Sequence, residues 1–335
     1  MKIIGILIAI LCFIILIIGH EFGHFSVAKL LGVKVNEFSV GMGPLAYQKQ
    51  KGETKYSIRY IPIGGYCALE GEDGDSNDPR SFSHQPAWSK ILILVAGAFM
   101  NVVIGLLIFT FIFMKTGTVS QVIAEVVDNG PAYEAGIIAG DKIVGVNDEF
   151  YNDFTSIQSA ILSSTGDTVK ITIERNNQRK DLVCHPYINE YGNRAVGIVA
   201  GVTYGFVDSF KAGLKESALV AVSIRDFFVG IFKGQTSLND VSGVVGIVSV
   251  AGQAAEVGII NVIYLMALIS VNLGYMNLLP FPALDGGRIL LTIIRAIFKG
   301  KISDETEGVI HAIGIIILLV LMIIILFKDV IGLFH

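Results

Sequence analysis

Residues 3–24 read IIGILIAILCFIILIIGHEFGH, seventeen consecutive uncharged residues followed at once by His20-Glu21-Phe22-Gly23-His24. A membrane-crossing helix takes about 20 apolar residues at 1.5 Å of rise each, so this run sits at the short end of the range. A secretory signal is also short, but it needs small residues for cleavage just after its apolar part. His-Glu-Phe-Gly-His stands there instead, and the stretch predicts an uncleaved helix. A spacing of four residues is just over one helical turn, which puts both imidazoles on one face where they can converge on a single Zn2+. Glu21, beside the first of them, then faces an attacking water and takes its proton, while zinc lowers that water's pKa to roughly 7. The plain alternative is a helix end capped by interfacial His and Glu. Ionised residues at membrane depth cost on the order of 2.5–3.5 kcal/mol each, which favours a cluster with a task.

Composition agrees with a bilayer. Of 335 residues 53% are hydrophobic and 16% charged, and the mean hydropathy is +0.65. Soluble domains carry roughly a quarter charged residues, and disordered chains pair low hydrophobicity with high net charge. A net charge of -4 gives no electrostatic footprint for nucleic acid, so no such partner is expected. Three cysteines, Cys12, Cys67 and Cys184, form neither a disulfide framework nor a CxxC metal motif. Residues 91–114, 257–284 and 309–327 are three further runs free of Asp, Glu, Lys and Arg. The loop between the first two spans holds eight Lys/Arg and the one between the last two holds four, Arg288, Arg295, Lys299 and Lys301. Basic loops stay cytoplasmic. The expected topology therefore has both termini outside and residues 115–256 extracytoplasmic.

A catalytic zinc needs a third protein ligand and one open position. The residues after His24 exclude a third His at the metzincin spacing, while Glu37 and Glu53 would serve a thermolysin-like site but lie in strand-like sequence. Asp285 is the stronger candidate, in Asn277-Leu278-Leu279-Pro280-Phe281-Pro282-Ala283-Leu284-Asp285-Gly286-Gly287. Two prolines two apart cannot continue a helix, and broken backbone at membrane depth is tolerated where it is buried or lines a wet cavity. Two crossings separate the motifs, so Asp285 returns to the side of His20 and His24.

Elsewhere, residues 118–200 alternate short apolar runs with Gly, Asn and Asp turns, as in Val169-Lys-Ile-Thr-Ile, and predict strands. Residues 206–232 have the spacing of an interfacial helix. Val33, Val35, Tyr56, Ile58 and Tyr60 alternate as a hairpin over 33–63, either an ordinary cytoplasmic hairpin or one whose exposed edge takes an extended substrate by strand addition. The acidic run 70–78 reads as a solvated loop, His84 and His185 as surface residues, and His335 as terminal. His311 reads as interfacial, and Asn101 either as a hydrogen-bonding group near the site or as a helix-joining residue. Cys67 and Cys184 fall on opposite sides and should not pair.

The HExxH and NxxPxPxLDG pair, with Gly41-Met42-Gly43-Pro44, Asp78-Pro79-Arg80-Ser81-Phe82 and Gly97-Ala98-Phe99-Met100-Asn101, resembles the site-2 protease family of intramembrane zinc metalloproteases, nearest its bacterial RseP/RasP type. The resemblance implies a polytopic α-helical membrane protein of four transmembrane helices, with a membrane-associated β-hairpin and an inserted α+β PDZ-like domain. It implies His20, His24 and Asp285 as zinc ligands, Glu21 as general base, and Asn277 as a substrate-holding residue. Asp128-Asn129-Gly130-Pro131-Ala132 and Gly140-Asp141-Lys142-Ile143 resemble permuted PDZ domains of bacterial proteases, with Gly197 and Ile198 on the peptide-receiving strand. Ala98 and Val244 stand where the family often has proline, and one PDZ-like domain is expected where some relatives have two. The expected divisions are 1–117, 118–202, 203–256 and 257–335. The expected activity is cleavage of single-span membrane proteins, such as anti-sigma factors or signal-peptide remnants, in a bacterial inner membrane, where a site-1-type protease acts first on the same substrate. The rivals are a non-catalytic receptor or transporter with a PDZ recruitment domain, and a zincin with a glutamate third ligand.

Overall fold

The computed structural model describes residues 2–72, 74, 76–236, 241, 243–298 and 304–332. Asp73, Asp75, Lys299, Lys301 and His335 lie outside the described residues. An apolar helix, α1 (Lys2–Leu30), leads into two long antiparallel strands, β1 (Val35–Lys51) and β2 (Thr54–Leu69), and then α2 (Ala87–Thr116). A strand-rich stretch follows: β3 (Thr118–Val126), α3 (Pro131–Glu134), β4 (Lys142–Val146), β5 (Glu149–Phe150), α4 (Phe154–Ser163), β6 (Val169–Arg175), β7 (Gln178–Cys184), β8 (Tyr187–Ile188), β9 (Arg194–Ala195) and β10 (Ile198–Thr203). The rest is helical: α5 (Phe206–Phe232), α6 (Val244–Val257), α7 (Ile259–Asn277), α8 (Asp285–Ile297) and α9 (Asp304–Gly332).

Among the described residues four helices are long and apolar enough to cross a membrane, Ile10–Leu30, Ala87–Thr116, Ile259–Asn277 and Thr306–Ile331. The first runs past the HEFGH motif, so both histidines lie within regular helix rather than at its end. The third stops at Asn277, short of residue 284. Pro280 and Pro282 lack the N–H that a continuing helix needs and push the residues before them out of helical geometry. The chain turns through Ala283, at φ 83, and a new helix begins at Asp285.

The chain divides into two compact units, Met1–Phe109 with Gly213–His335, and Thr110–Ala212. In the first, β1 and β2 form more than a simple hairpin. Residues 37–40 pair on one side with residues 55–58 and on the other with 65–68, while 47–51 pair with 54–58. Both strands bend, and two continuous segments make four ribbons in the order 47–51, 54–58, 37–40, 65–69. Thr54 at the turn donates to the Val35 carbonyl, and Lys29 near the end of α1 pairs with Glu53. At the other end, a side chain at Gly65 would meet Ile17 and Glu21. The sheet therefore runs along α1 over some twelve residues, about 18 Å at helical rise. Strand pairing extends to Leu69, beyond the expected limit of residue 63.

The second unit is an antiparallel sheet in the order β10-β3-β4-β6-β7, with β5 on β4. Ile123, Ile143, Ile157, Ile171 and Ile173 form its buried centre, and α4 contributes Ile157 and Ile161. The expected strand at Val169 is β6, and the expected helix over 206–232 is α5. That helix buries Ser209 and Ser217 while Phe206, Val207 and Leu214 stay exposed, as befits a helix at an apolar interface.

Candidate metal centre

Helical spacing brings His20 and His24 together on one face of α1, with ring centroids 4.7 Å apart and edge to face. Their Nε2 atoms are 3.1 Å apart. The first residue of α8 completes a triangle: Asp285 Oδ2 lies 3.2 Å from His20 Nε2 and 3.5 Å from His24 Nε2. This is the one metal-ligand cluster of three His, Cys, Asp or Glu residues among those described. Tetrahedral ligands about 2.1 Å from a zinc ion stand about 3.4 Å from one another, so the spacing fits.

The donors are also in the right state. His24 Nδ1 lies 2.8 Å from the Ile93 carbonyl. A carbonyl only accepts, so the ring proton sits on Nδ1 and the Nε2 lone pair is free. Asp285 Oδ2 is buried with no hydrogen-bond partner. Lone pairs turned toward one point in a buried place repel each other unless a cation joins them. The residues fit zinc.

Close packing of backbone makes the triangle possible. A Cβ on Gly97 of α2 would stand 2.2 Å from His24 Nε2 and 2.8 Å from His20 Cε1, so only a hydrogen leaves room for both rings. Gly23 between the histidines lies against the Ala96 carbonyl in the same way. Around the break, the Ala283 N–H donates to His311 Nδ1 at 3.2 Å, and a Cβ on Gly314 would come within 2.4 Å of the Pro282 carbonyl oxygen. Thus α9 braces the turn that delivers Asp285. Glu72 forms an ion pair with Arg288, one turn beyond Asp285, and accepts from the Leu69 N–H at 3.2 Å. One carboxylate thereby ties the end of β2 to the helix that begins at Asp285.

Glu21 lies against β2, where a side chain at Gly65 would meet its Cγ at 3.5 Å. Residues 65–69 form an outer ribbon of the sheet and run beside this group. Tyr56 and Ile58 do not lie on an edge: Tyr56 pairs with Phe38 and Lys49, and Ile58 with Val40 and Tyr47. Alternation identified a strand, but the bend in β1 closes both of its sides. Tyr60 is exposed in the bend region. Asn277 is the last residue of α7, at the break.

Glu37 and Glu53 are engaged elsewhere, Glu37 with Arg59 and Glu53 with Lys29 and Arg80. Hydrogen bonds from Lys29 and Arg80 hold the Glu53 carboxyl below its usual range. The acidic run is not simply solvated. Hydrogen bonds from Ser76, Asn36 and Lys34 hold the Glu70 carboxyl at about 2. His84 and His185 are exposed, and Cys67 and Cys184 are free thiols, as expected. In the second unit Ile198 opens β10, an outer strand of the sheet, and the preceding Gly197 accepts from the Val127 N–H.

Sequence reasoning missed Ile93, Gly97, Glu72 and Arg288. Ile93, Gly97 and Asn101 recur every four residues, and that stripe was the available signal. The Ile93 contact runs through backbone, which no residue type reveals.

Comparison with known proteins gives a family of metal-dependent peptidases. The model of peptidase family M50 matches residues 8–321. A Clostridium acetobutylicum protein named as a zinc metalloprotease is 35% identical, over 99% of this chain and 98% of its own length. A protein of the same name from Clostridium perfringens is 36% identical over 97% and 98%. Among solved structures, the PDZ domain of an SdrC-like protein from Listeria innocua is 25% identical, covering 25% of this chain and 96% of that domain, with a TM-score of 0.23. With a family match over most of its length and relatives aligned end to end, the chain belongs to peptidase family M50, the site-2 protease family of zinc metalloproteases.

Proposed function

We propose that the protein cleaves single-span membrane proteins within or near their transmembrane segments, with His20, His24 and Asp285 holding zinc and Glu21 moving the proton. The observation that carries this reading is the triangle of two imidazole nitrogens and one carboxylate oxygen, the imidazoles on a helix of membrane-spanning character and the carboxylate just past the end of another. Zinc, when bound, supplies a Lewis acid for the scissile carbonyl and lowers the pKa of water to roughly 7. Glu21 accepts the proton of the attacking water and returns it to the leaving amine. β2 packs against it at Gly65, so the proton acceptor stays beside the ligands.

A transmembrane helix hides its peptide bonds, and cleavage requires a stretch of it to unwind and pair elsewhere. The outer ribbon 65–69 has no strand on its far side and runs next to Glu21, in place of the inner strand that carries Tyr56 and Ile58. Strand addition there would bring an extended substrate to the metal. The bend of the sheet carries Met42, Leu45, Tyr60 and Ile61 exposed, while Lys49, Lys51 and Lys55 lie toward the turn. That gradation suits a hairpin dipping into the bilayer from a charged surface. Asn277, at the end of α7, is proposed to hold the substrate chain near the scissile bond.

The second unit is proposed to be a PDZ-like, extracytoplasmic gate, whose β10 edge at Gly197 and Ile198 receives a peptide end. With the basic loops cytoplasmic, the metal site lies toward the inner face of a bacterial cell membrane. Prior trimming of the substrate by another protease fits such a gate. The test is cleavage of a panel of single-span substrates in lipid. Glu21→Gln should retain near-stoichiometric zinc and lose activity by about 10²–10⁴-fold. Normal cleavage by Glu21→Gln removes the mechanism.

A further inference from the structure

Three residues of α2 meet the two histidines, at intervals of four: the Ile93 carbonyl at His24 Nδ1, the bare face of Gly97 under both rings, and the Asn101 carboxamide at His20 Nδ1. The first two leave the His24 Nε2 lone pair free and make room for both rings. The third is unresolved, because the amide nitrogen of Asn101 lies 3.4 Å from His20 Nδ1 while its oxygen is buried with no partner. The residue is 1% exposed. An amide N–H directed at Nδ1 requires that ring nitrogen to be unprotonated. The ring proton would then sit on Nε2, and His20 would have no lone pair for a metal.

A half-turn of the carboxamide exchanges its oxygen and nitrogen at nearly unchanged positions. The oxygen then accepts the Nδ1–H of His20 and Nε2 is left free, while the amide nitrogen takes the place the oxygen held. We propose that Asn101 is a positioning residue that holds His20 in the metal-binding tautomer, as the Ile93 carbonyl holds His24. This rests on the reading of His20 as a ligand. Partners of this kind fix both ring orientation and ligand basicity. Helix joining does not account for the side chain, since Ser270 Oγ of α7 donates to the backbone carbonyl of Asn101 at 2.7 Å. Replacing the side chain leaves that link intact.

The test uses full-length protein in detergent and reads zinc affinity by competition with a chromophoric chelator. Asn101→Leu, of similar size but without an acceptor, should bind zinc about 10–100-fold more weakly than wild type. Asn101→Asp keeps an acceptor for Nδ1–H and should stay within a few-fold of wild type. With Co2+ in place of zinc, the visible bands should change in Asn101→Leu and be restored in Asn101→Asp. A merely structural role predicts no such rescue. Wild-type zinc affinity in Asn101→Leu, or an equal loss in both variants, overturns the proposal. If Asn101→Leu elutes as aggregate, Asn101→Ala takes its place with the same expected loss and the same overturning result. A wild-type protein that binds no zinc would sink the underlying ligand assignment instead, and the two failures are separate readings of one titration.

Discussion

In the unit Thr110–Ala212, Ile143, Ile157, Ile171 and Ile173 are fully buried, and among the charged side chains only Asp141 is buried with them. In the other unit, Ile316, Leu319, Met322 and Ile323 of α9 are 46–60% exposed, while His20, His24 and Asp285 are largely enclosed. The same residue types sit in opposite places because the solvents differ. Water drives isoleucine into a core, whereas lipid is as apolar as the side chain and exerts no such drive. The first unit is held instead by close backbone contact and by polar groups with specific partners. Its stability should respond to glycines and hydrogen bonds, and the second unit's to its core, ion pairs and caps.

The largest expected effect tests the close contact. Gly97→Val places a branched side chain where a single Cβ would already stand 2.2 Å from His24 Nε2. Both rings must leave their positions, so bound zinc should fall below one-tenth of wild type and cleavage should vanish. The sheet unit should be untouched. Metal content by atomic emission measures the first effect, and hydrogen exchange over residues 118–203 checks the second. Full zinc occupancy in Gly97→Val would show that the helices separate easily, and the contrast drawn here would break.

Next comes the bridge from Glu72 to Arg288 and the Leu69 N–H. It joins the ribbon proposed to take substrate with the helix that bears Asp285. Glu72→Gln removes the charge of the carboxylate from this bridge and weakens the hold on Leu69. Cleavage should fall about 10-fold while zinc is retained, since bridged charges at an enclosed site are worth roughly 1.5–3 kcal/mol. Combining it with Arg288→Met should add little, because residues in one network are not additive. Additive losses would mean that the two residues act separately.

The third prediction concerns the sheet unit alone. Asp141 is 1% exposed; Arg175 holds both its oxygens, at 2.6 and 2.8 Å, and the Ile138 N–H donates to one of them. Burial pushes the carboxyl up, but Arg175 and Ile138 together bring it below its usual value. A depressed carboxyl contributes stability that is complete above its unfolded pKa of about 3.9 and is lost as pH falls through the folded value. Thermal unfolding of this unit should therefore be flat with pH above about 4 and fall below it. Asp141→Asn should lower the midpoint at neutral pH by on the order of 10 °C and flatten the acid limb. An unchanged acid limb in Asp141→Asn would assign it to other carboxylates.

Much of this was legible in the sequence, and the unread parts share a cause. The HExxH spacing states its own geometry, and two prolines announce the break before Asp285. Residues 206–232 give α5 its bounds because helical periodicity is a local property. Strand alternation is local as well, but it reports faces and not neighbours. Tyr56 and Ile58 therefore read as an edge, when the bend of β1 sets a ribbon on either side. Contacts made by backbone or between distant charges leave no local trace, as with the Ile93 carbonyl and the Glu72–Arg288 pair. Helix caps show the divide. The first turn of α6 gives its Gly243 and Gly246 N–H groups to Asp329, far along α9, whereas Asp153 caps the helix it precedes.

That last pair yields the smallest and most local expectation. Asp153 Oδ1 accepts the Ser156 N–H at 3.0 Å, and Oδ2 accepts its hydroxyl at 2.8 Å. The cap starts α4, which seats Ile157 and Ile161 in the sheet's core. Asp153→Ala should cost about 1 kcal/mol, a shift of about 5 °C in the sheet unit's midpoint. Zinc content and cleavage of a substrate lacking an outer domain should not change, because the substitution touches only the second unit. A loss of cleavage on that substrate would mean that the sheet unit's stability reaches the metal site. The separation between a core-stabilised domain and a contact-stabilised membrane unit would then be too sharp.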